Sequence, residues 1–127
     1  MDKVTNRRGA DLKARTKAFA VRIIHLVDAL PNRRSANEIG RQLLRSGMSV
    51  GANYRAACRG RSRKEFIAKL GIVEEECDES LYWMEVLVEA GVVQQKRLAP
   101  LMKETGELLA IVISSIKTTA RNKPVKA

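Results

Sequence analysis

Residues 42–66 read QLLRSGMSVGANYRAACRGRSRKEF, and the winding of this stretch decides what the rest of the chain must do. At 100° per residue, Leu43, Val50, Tyr54 and Ala57 fall on one face and continue a line begun by Ile39. That face is expected to be buried. Beside it Gly40, Gly47, Gly51 and Cys58 form a row of small side chains, with Leu44 among them, where another helix backbone can approach closely. A glycine inside a helix costs about 1 kcal/mol relative to alanine, so several in one helical pattern imply a packing reason. On the far side Arg41, Arg45, Arg55 and Arg59 lie within a strip about 80° wide, interrupted by Met48 and Ala52. Two faces are committed to protein and one carries charge.

Working outward, the pattern Leu12, Thr16, Phe19, Ile23, Val27, Leu30 predicts a first helix from Asp11 that ends where Pro31 follows Leu30. Residues 1–10 hold Arg7, Arg8 and Gly9 without an apolar cluster and read as an unstructured basic arm. Ser35, with Glu38 three residues on, is the expected N-cap of the second helix, which runs to about Arg59. Gly60 supplies its stop, and Ser62 with Glu65 the next start. So short a turn lays the second and third helices side by side and antiparallel.

The third helix carries Phe66, Leu70, Val73, Cys77, Leu81, Met84, Leu87 and Val88 at spacings near those of a bundle seam, and ends at Gly91. Its other faces hold Glu74, Glu75, Glu76, Asp78, Glu79, Glu85 and Glu89, with Tyr82 and Trp83 among them. A fourth helix begins near Gln95 or Lys96, tolerates Pro100 in its first turn, and contains Leu98, Leu101, Met102, Thr105, Leu108, Leu109, Val112 and Ile116. The expectation is one all-α domain, an antiparallel up-down-up-down four-helix bundle over residues 11–121, with a disordered tail at 122–127.

Composition agrees. At 127 residues the chain suits one domain that can bury a core without disulfides or metals, and aromatics are only 4%. No apolar run approaches the ~20 residues of a membrane span. The opening MDKVTNRRGADLKARTK is charged, unlike a secretory signal, so a cytoplasmic home is expected. Net charge is +10, unevenly spread: residues 1–64 hold 16 basic and 4 acidic groups (+12), residues 65–127 hold 8 and 10 (−2). Such asymmetry fits an anionic partner such as nucleic acid, or subunits whose basic and acidic surfaces meet.

Chemistry is sparse. Di-metal bundles use Glu-x-x-His pairs from two helices, whereas His25 is the only histidine and has Arg22 three residues before it. Cys58 and Cys77 read as packed thiols, and no phosphate-cradling loop motif occurs. No catalytic, metal or cofactor site is expected. What survives is the row Arg41, Arg45, Arg55, Arg59 and, at the turn, Arg59, Arg61, Arg63 and Lys64. These residues can contact successive phosphates, form a solvated face, or pair with acids such as Glu75 or Glu79 of a neighbouring subunit. Gly47 and Gly51, with Tyr82 and Trp83, are the candidate helix-packing or oligomer-interface residues.

The blocks QLLRSGMSVGANYRAA, SRKEFIAKL and EECDESLYWMEVL, in this order and spacing, resemble the small bacterial four-helix-bundle proteins encoded in intervening sequences of large-subunit ribosomal RNA genes. The likeness spans roughly residues 18–116, with Gln42, Arg45, Ser46, Ser49, Ala52, Asn53, Ser62, Phe66 and Trp83 where that family's pattern expects them. One departure is clear: relatives usually carry a glutamate shortly after the Ala-Asn pair, where this chain has Ala56 preceded by Arg55. The resemblance implies a ring-like homo-oligomer, a pentamer, without an enzymatic reaction. Relatives serving as accessory proteins of diversity-generating retroelements imply that such a barrel can bind nucleic acid and a partner protein. The leading expectation is a self-assembling adaptor or scaffold whose basic face can bind RNA or DNA. The alternative is a dedicated nucleic-acid-binding accessory protein of a retroelement or ribosomal RNA intervening sequence.

Overall fold

The computed structural model describes residues 3–122 as four helices in chain order, α1 (Lys3–Asp28), α2 (Arg34–Cys58), α3 (Arg63–Glu89) and α4 (Gln95–Arg121). They form the expected up-down-up-down bundle. α2 packs most intimately on α3, then α1 on α2 and α3 on α4, whereas α1 and α4 meet along a much looser seam. The core is the stripe each helix turns inward: Leu12, Phe19 and Ile23 of α1; Leu43, Val50, Tyr54 and Ala57 of α2; Leu70, Val73, Cys77, Met84 and Leu87 of α3; Leu98, Leu101, Leu108 and Val112 of α4. Phe19 and Ile23 are fully buried, and burial of such a side chain stabilises by roughly 1.5–3 kcal/mol.

The glycines of α2 face α1. A Cβ on Gly40 would meet Val27 and Leu30, one on Gly47 would meet Ile23, and one on Gly51 would meet Thr16, including its backbone carbon at 3.3 Å. These partners run in opposite directions along the two helices, the pattern of an antiparallel pair in close approach. The opposite edge of α2 meets α3 through Ser46 and Ser80, both fully buried, whose hydroxyls lie 2.9 Å apart.

Helix ends depart from the sequence reading in identifiable ways. α1 is helical from Lys3 rather than Asp11. Residues 3–10 contain no proline, and the single Gly9 adds only the ~1 kcal/mol of a helical glycine, so the helix continues through the expected arm. Met1 and Asp2, and tail residues 123–127, lie outside the described residues. Ser35 is not the cap of α2. The helix begins two residues earlier, with Arg33 extended at the N-cap and its carbonyl accepting from the Asn37 N–H at 2.8 Å. Ser35 is therefore already inside the first turn, and Glu38 instead accepts hydrogen bonds from Arg41 and Gln42.

At α3 the cap is as expected. Ser62 Oγ accepts the Glu65 N–H at 3.1 Å, and the Glu65 carboxylate accepts the Arg61 N–H at 2.6 Å. Gly60 keeps an ordinary φ; a Cβ there would lie 3.0 Å from the Ala57 carbonyl oxygen, so the turn needs its size rather than a left-handed backbone. Gly91 does adopt φ 72°. The Val92 N–H reaches back to the Leu87 carbonyl at 2.9 Å and the Gly91 N–H to Val88 at 3.0 Å, a Schellman closure of α3. Pro100 is the sixth residue of α4, beyond its first turn, and both it and Lys96, whose carbonyl would have been its partner, are exposed.

Candidate nucleic-acid interface

An α-helix brings residues separated by three or four to the same side, so the outward stripe of α2 is Arg41, Arg45, Met48, Ala52, Arg55 and Arg59, all exposed. At 1.5 Å per residue it is roughly 27 Å long. Its two ends differ electrostatically. Arg41 pairs with Glu38 of its own helix at 3.0 Å. Arg45 lies close enough to Glu76 of α3 to oppose the rise that burial, and then Glu79, impose on that carboxyl's pKa. The Arg41–Arg45 end thus sits among acids of its own chain.

The other end runs into the α2–α3 turn. Arg55, Arg59, Arg61 and Lys64 are exposed and Arg63 is half-buried. Among the described residues none of the five makes an ion pair. The one acid within the turn, Glu65, is engaged with the backbone N–H of Arg61. α4 brings Lys117 and Arg121, both exposed, to the same end of the bundle in its last two turns. The sequence reading missed these two because they lie more than fifty positions from the turn; only the four-helix topology sets them beside it. The predicted strip is therefore one cationic end, built from α2, the turn, the start of α3 and the end of α4, plus a second pair of arginines whose charge is locally offset.

Tyr82 and Trp83 stack edge to face, centroids 5.0 Å apart at 73°, yet they do different things. Trp83 is half-buried against the core, with its Nε1–H directed at Glu79 Oε1 at 3.4 Å, while Tyr82 is 56% exposed. Met48 and Ile72 are also exposed on α2 and α3. Of the residues carrying the sequence resemblance, Ser46 is buried in the α2–α3 seam, Asn53 and Ser49 bond to carbonyls one turn back in α2, and Ser62 caps α3.

Cys58 and Cys77 are free, and burial pushes the Cys77 thiol up to about 12, which keeps it protonated and inert. His25 is exposed. Among the described residues there is no grouping of His, Cys, Asp and Glu able to hold a metal, and no helix is long and apolar enough to cross a membrane.

Comparison with known proteins bears on what such a surface is for. Residues 10–114 match the family profile described as 23S rRNA-intervening sequence protein. Among solved structures the chain is similar to a protein of unknown function from the S23 ribosomal protein family of Bacteroides thetaiotaomicron, with TM-score 0.80 and 35% identity, covering 86% of this chain and 97% of that one. No curated protein matches it significantly. Neither likeness touches diversity-generating retroelements, which stay an implication of the sequence resemblance.

Proposed function

The chain belongs to the 23S rRNA-intervening sequence protein family, and from that membership we propose that it is a nucleic-acid-binding accessory protein that holds RNA at the cationic end of its bundle. It is a small non-enzymatic helical protein, so its work is binding rather than turnover. The observation that carries the reading is the concentration of Arg55, Arg59, Arg61, Arg63 and Lys64, joined by Lys117 and Arg121, with no ion pair among the described residues. Such a cluster meets phosphates without first giving up a partner.

Self-association belongs to the same proposal, as a homo-oligomer and, by resemblance, a pentamer. Its support is the exposed apolar surface of α2 and α3 at Met48, Ile72 and Tyr82, which a lone bundle leaves in water. The adaptor or scaffold role then supplies the frame on which several cationic ends are displayed together.

Gel-shift titration of the full chain against arbitrary RNA at low and physiological salt tests the binding. Retardation that weakens steeply with salt is expected, and none at low salt would overturn it. Light scattering tests the assembly: a mass several times 14.2 kDa is expected, and a monomer at micromolar concentration would contradict it.

A further inference from the structure

At the cationic end the loose α1–α4 seam opens into a cleft of about 970 Å³. Its walls have two characters. Leu12, Phe66 and Ile111 give an apolar floor, while Ser114, Ser115 and Thr118 place a ladder of hydroxyls along α4. Arg63 lies in the wall itself, and so does the exposed Asp11 of α1, the one acid among the described lining residues. Arg59, Arg61 and Lys64 flank Arg63 in sequence, and Lys117 and Arg121 alternate with the hydroxyl residues on α4, so cations outnumber the single acid, Asp11, around the cleft.

We infer that this cleft receives an unpaired nucleotide of single-stranded RNA, the base entering between the apolar floor and the α4 hydroxyls while the flanking phosphates rest on the rim. The inference rests on the RNA-binding reading and adds what that reading lacks, a distinction between single and double strands. A base needs an apolar surface for its face and hydrogen-bonding groups for its edge, which is the combination found in RNA-binding pockets that take splayed bases. A metabolite lacking phosphate would leave the rim unused, and a duplex would reach the rim without entering the cleft.

The test measures affinity of the full chain, at one fixed salt concentration, for a short single-stranded RNA, the same RNA made abasic at successive positions, and its duplex. Ala110→Trp and Ser114→Phe fill the cleft from exposed positions on α4 and leave every cation in place. Filling should lower single-strand affinity by about 5- to 150-fold, the effect of losing one stacked base. Duplex affinity should stay within about twofold and the salt slope should be unchanged, because phosphate contacts persist. Abasic RNA bound by the wild-type chain should show the same loss at one position, which keeps the test available should either variant fail to fold. Equal losses for single and double strands, or no loss with filled clefts and abasic RNA, would overturn the cleft while leaving the phosphate contacts standing. No binding of any of these RNAs at low salt would overturn both.

Discussion

The hydroxyls of Ser46 and Ser80 lie 2.9 Å apart across the α2–α3 seam, both side chains fully buried. Ser80 Oγ is also 2.8 Å from the Glu76 carbonyl, whereas the other contact open to Ser46, the Leu43 carbonyl, is at 3.4 Å. One proton therefore joins the two hydroxyls and the other goes to Glu76.

A double-mutant cycle should expose this pairing. Ser80→Ala strands the Ser46 hydroxyl with a long bond and should cost about 1–3 kcal/mol, while replacing both serines by alanine should cost less than the sum of the singles. The coupling, read from urea unfolding, should be about 0.5–1.5 kcal/mol. Strict additivity would show that the two hydroxyls do not depend on each other.

Alanine at two glycines should act with opposite sign. A Cβ on Gly47 would stand 2.8 Å from Ile23 Cγ1, and Ile23 is fully buried and cannot step aside. Overpacking of about 1–3 kcal/mol then outweighs the helix gain, so Gly47→Ala should melt below wild type. Gly106, mid-helix with open space where its Cβ would go, should gain about 0.5–1 kcal/mol as alanine. Equal melting shifts for the two variants would refute the close α1–α2 approach.

Glu76 should give stability a pH dependence of known sign. Burial, then the neighbouring Glu79, raises its carboxyl pKa, with Arg45 opposing. From the ordinary glutamate value up to the raised one, the folded chain binds more protons than the unfolded chain. The stabilisation tied to this group is therefore full below the unfolded value and lost as pH rises through the folded one. Relative to Glu76→Gln, wild type should lose urea resistance as pH climbs from about 4 to 7. A relative gain over that range would contradict the assignment.

Arg15 of α1 donates from Nε to Glu104 Oε2 of α4 at 3.2 Å, with a second bond from Nη2 to the same carboxylate and a third to Glu107. In a seam otherwise so loose, this fork should matter more than an exposed pair. Glu104→Gln should lower stability by about 1–2 kcal/mol, more than the ~0–1 kcal/mol expected of Glu38→Gln at the exposed Arg41 pair. Equal effects would mean that α1 and α4 are held by other contacts.

The bundle was legible because spacing alone orients a helix. Leu43, Val50, Tyr54 and Ala57, placed on one face by a 100° step, are all buried, and so are Leu12, Thr16, Phe19 and Ile23. Local reading fails where partners are distant in sequence. Ser46 meets Ser80 and Arg15 meets Glu104 across 34 and 89 positions, and no periodicity records either pairing. The basic strip was legible as a row, but its division was not. That division depends on Glu76 being brought beside Arg45, and on Lys117 and Arg121 returning to the turn at the end of α4. The missed cap at Ser35 has a different cause: Arg33 took the N-cap in extended conformation, two residues before the capping pattern would begin.

The most direct test of the account compares salt dependence of RNA affinity in wild type, in Arg55→Ala/Arg59→Ala and in Arg41→Ala/Arg45→Ala, between about 50 and 200 mM salt. Each lost phosphate contact should flatten the log-log slope by about 1, so the Arg55/Arg59 variant should lose about 2 and the Arg41/Arg45 variant less than about 1. Equal flattening by both variants would contradict the division of the basic face, and no RNA binding by wild type at the lowest salt would contradict the function itself.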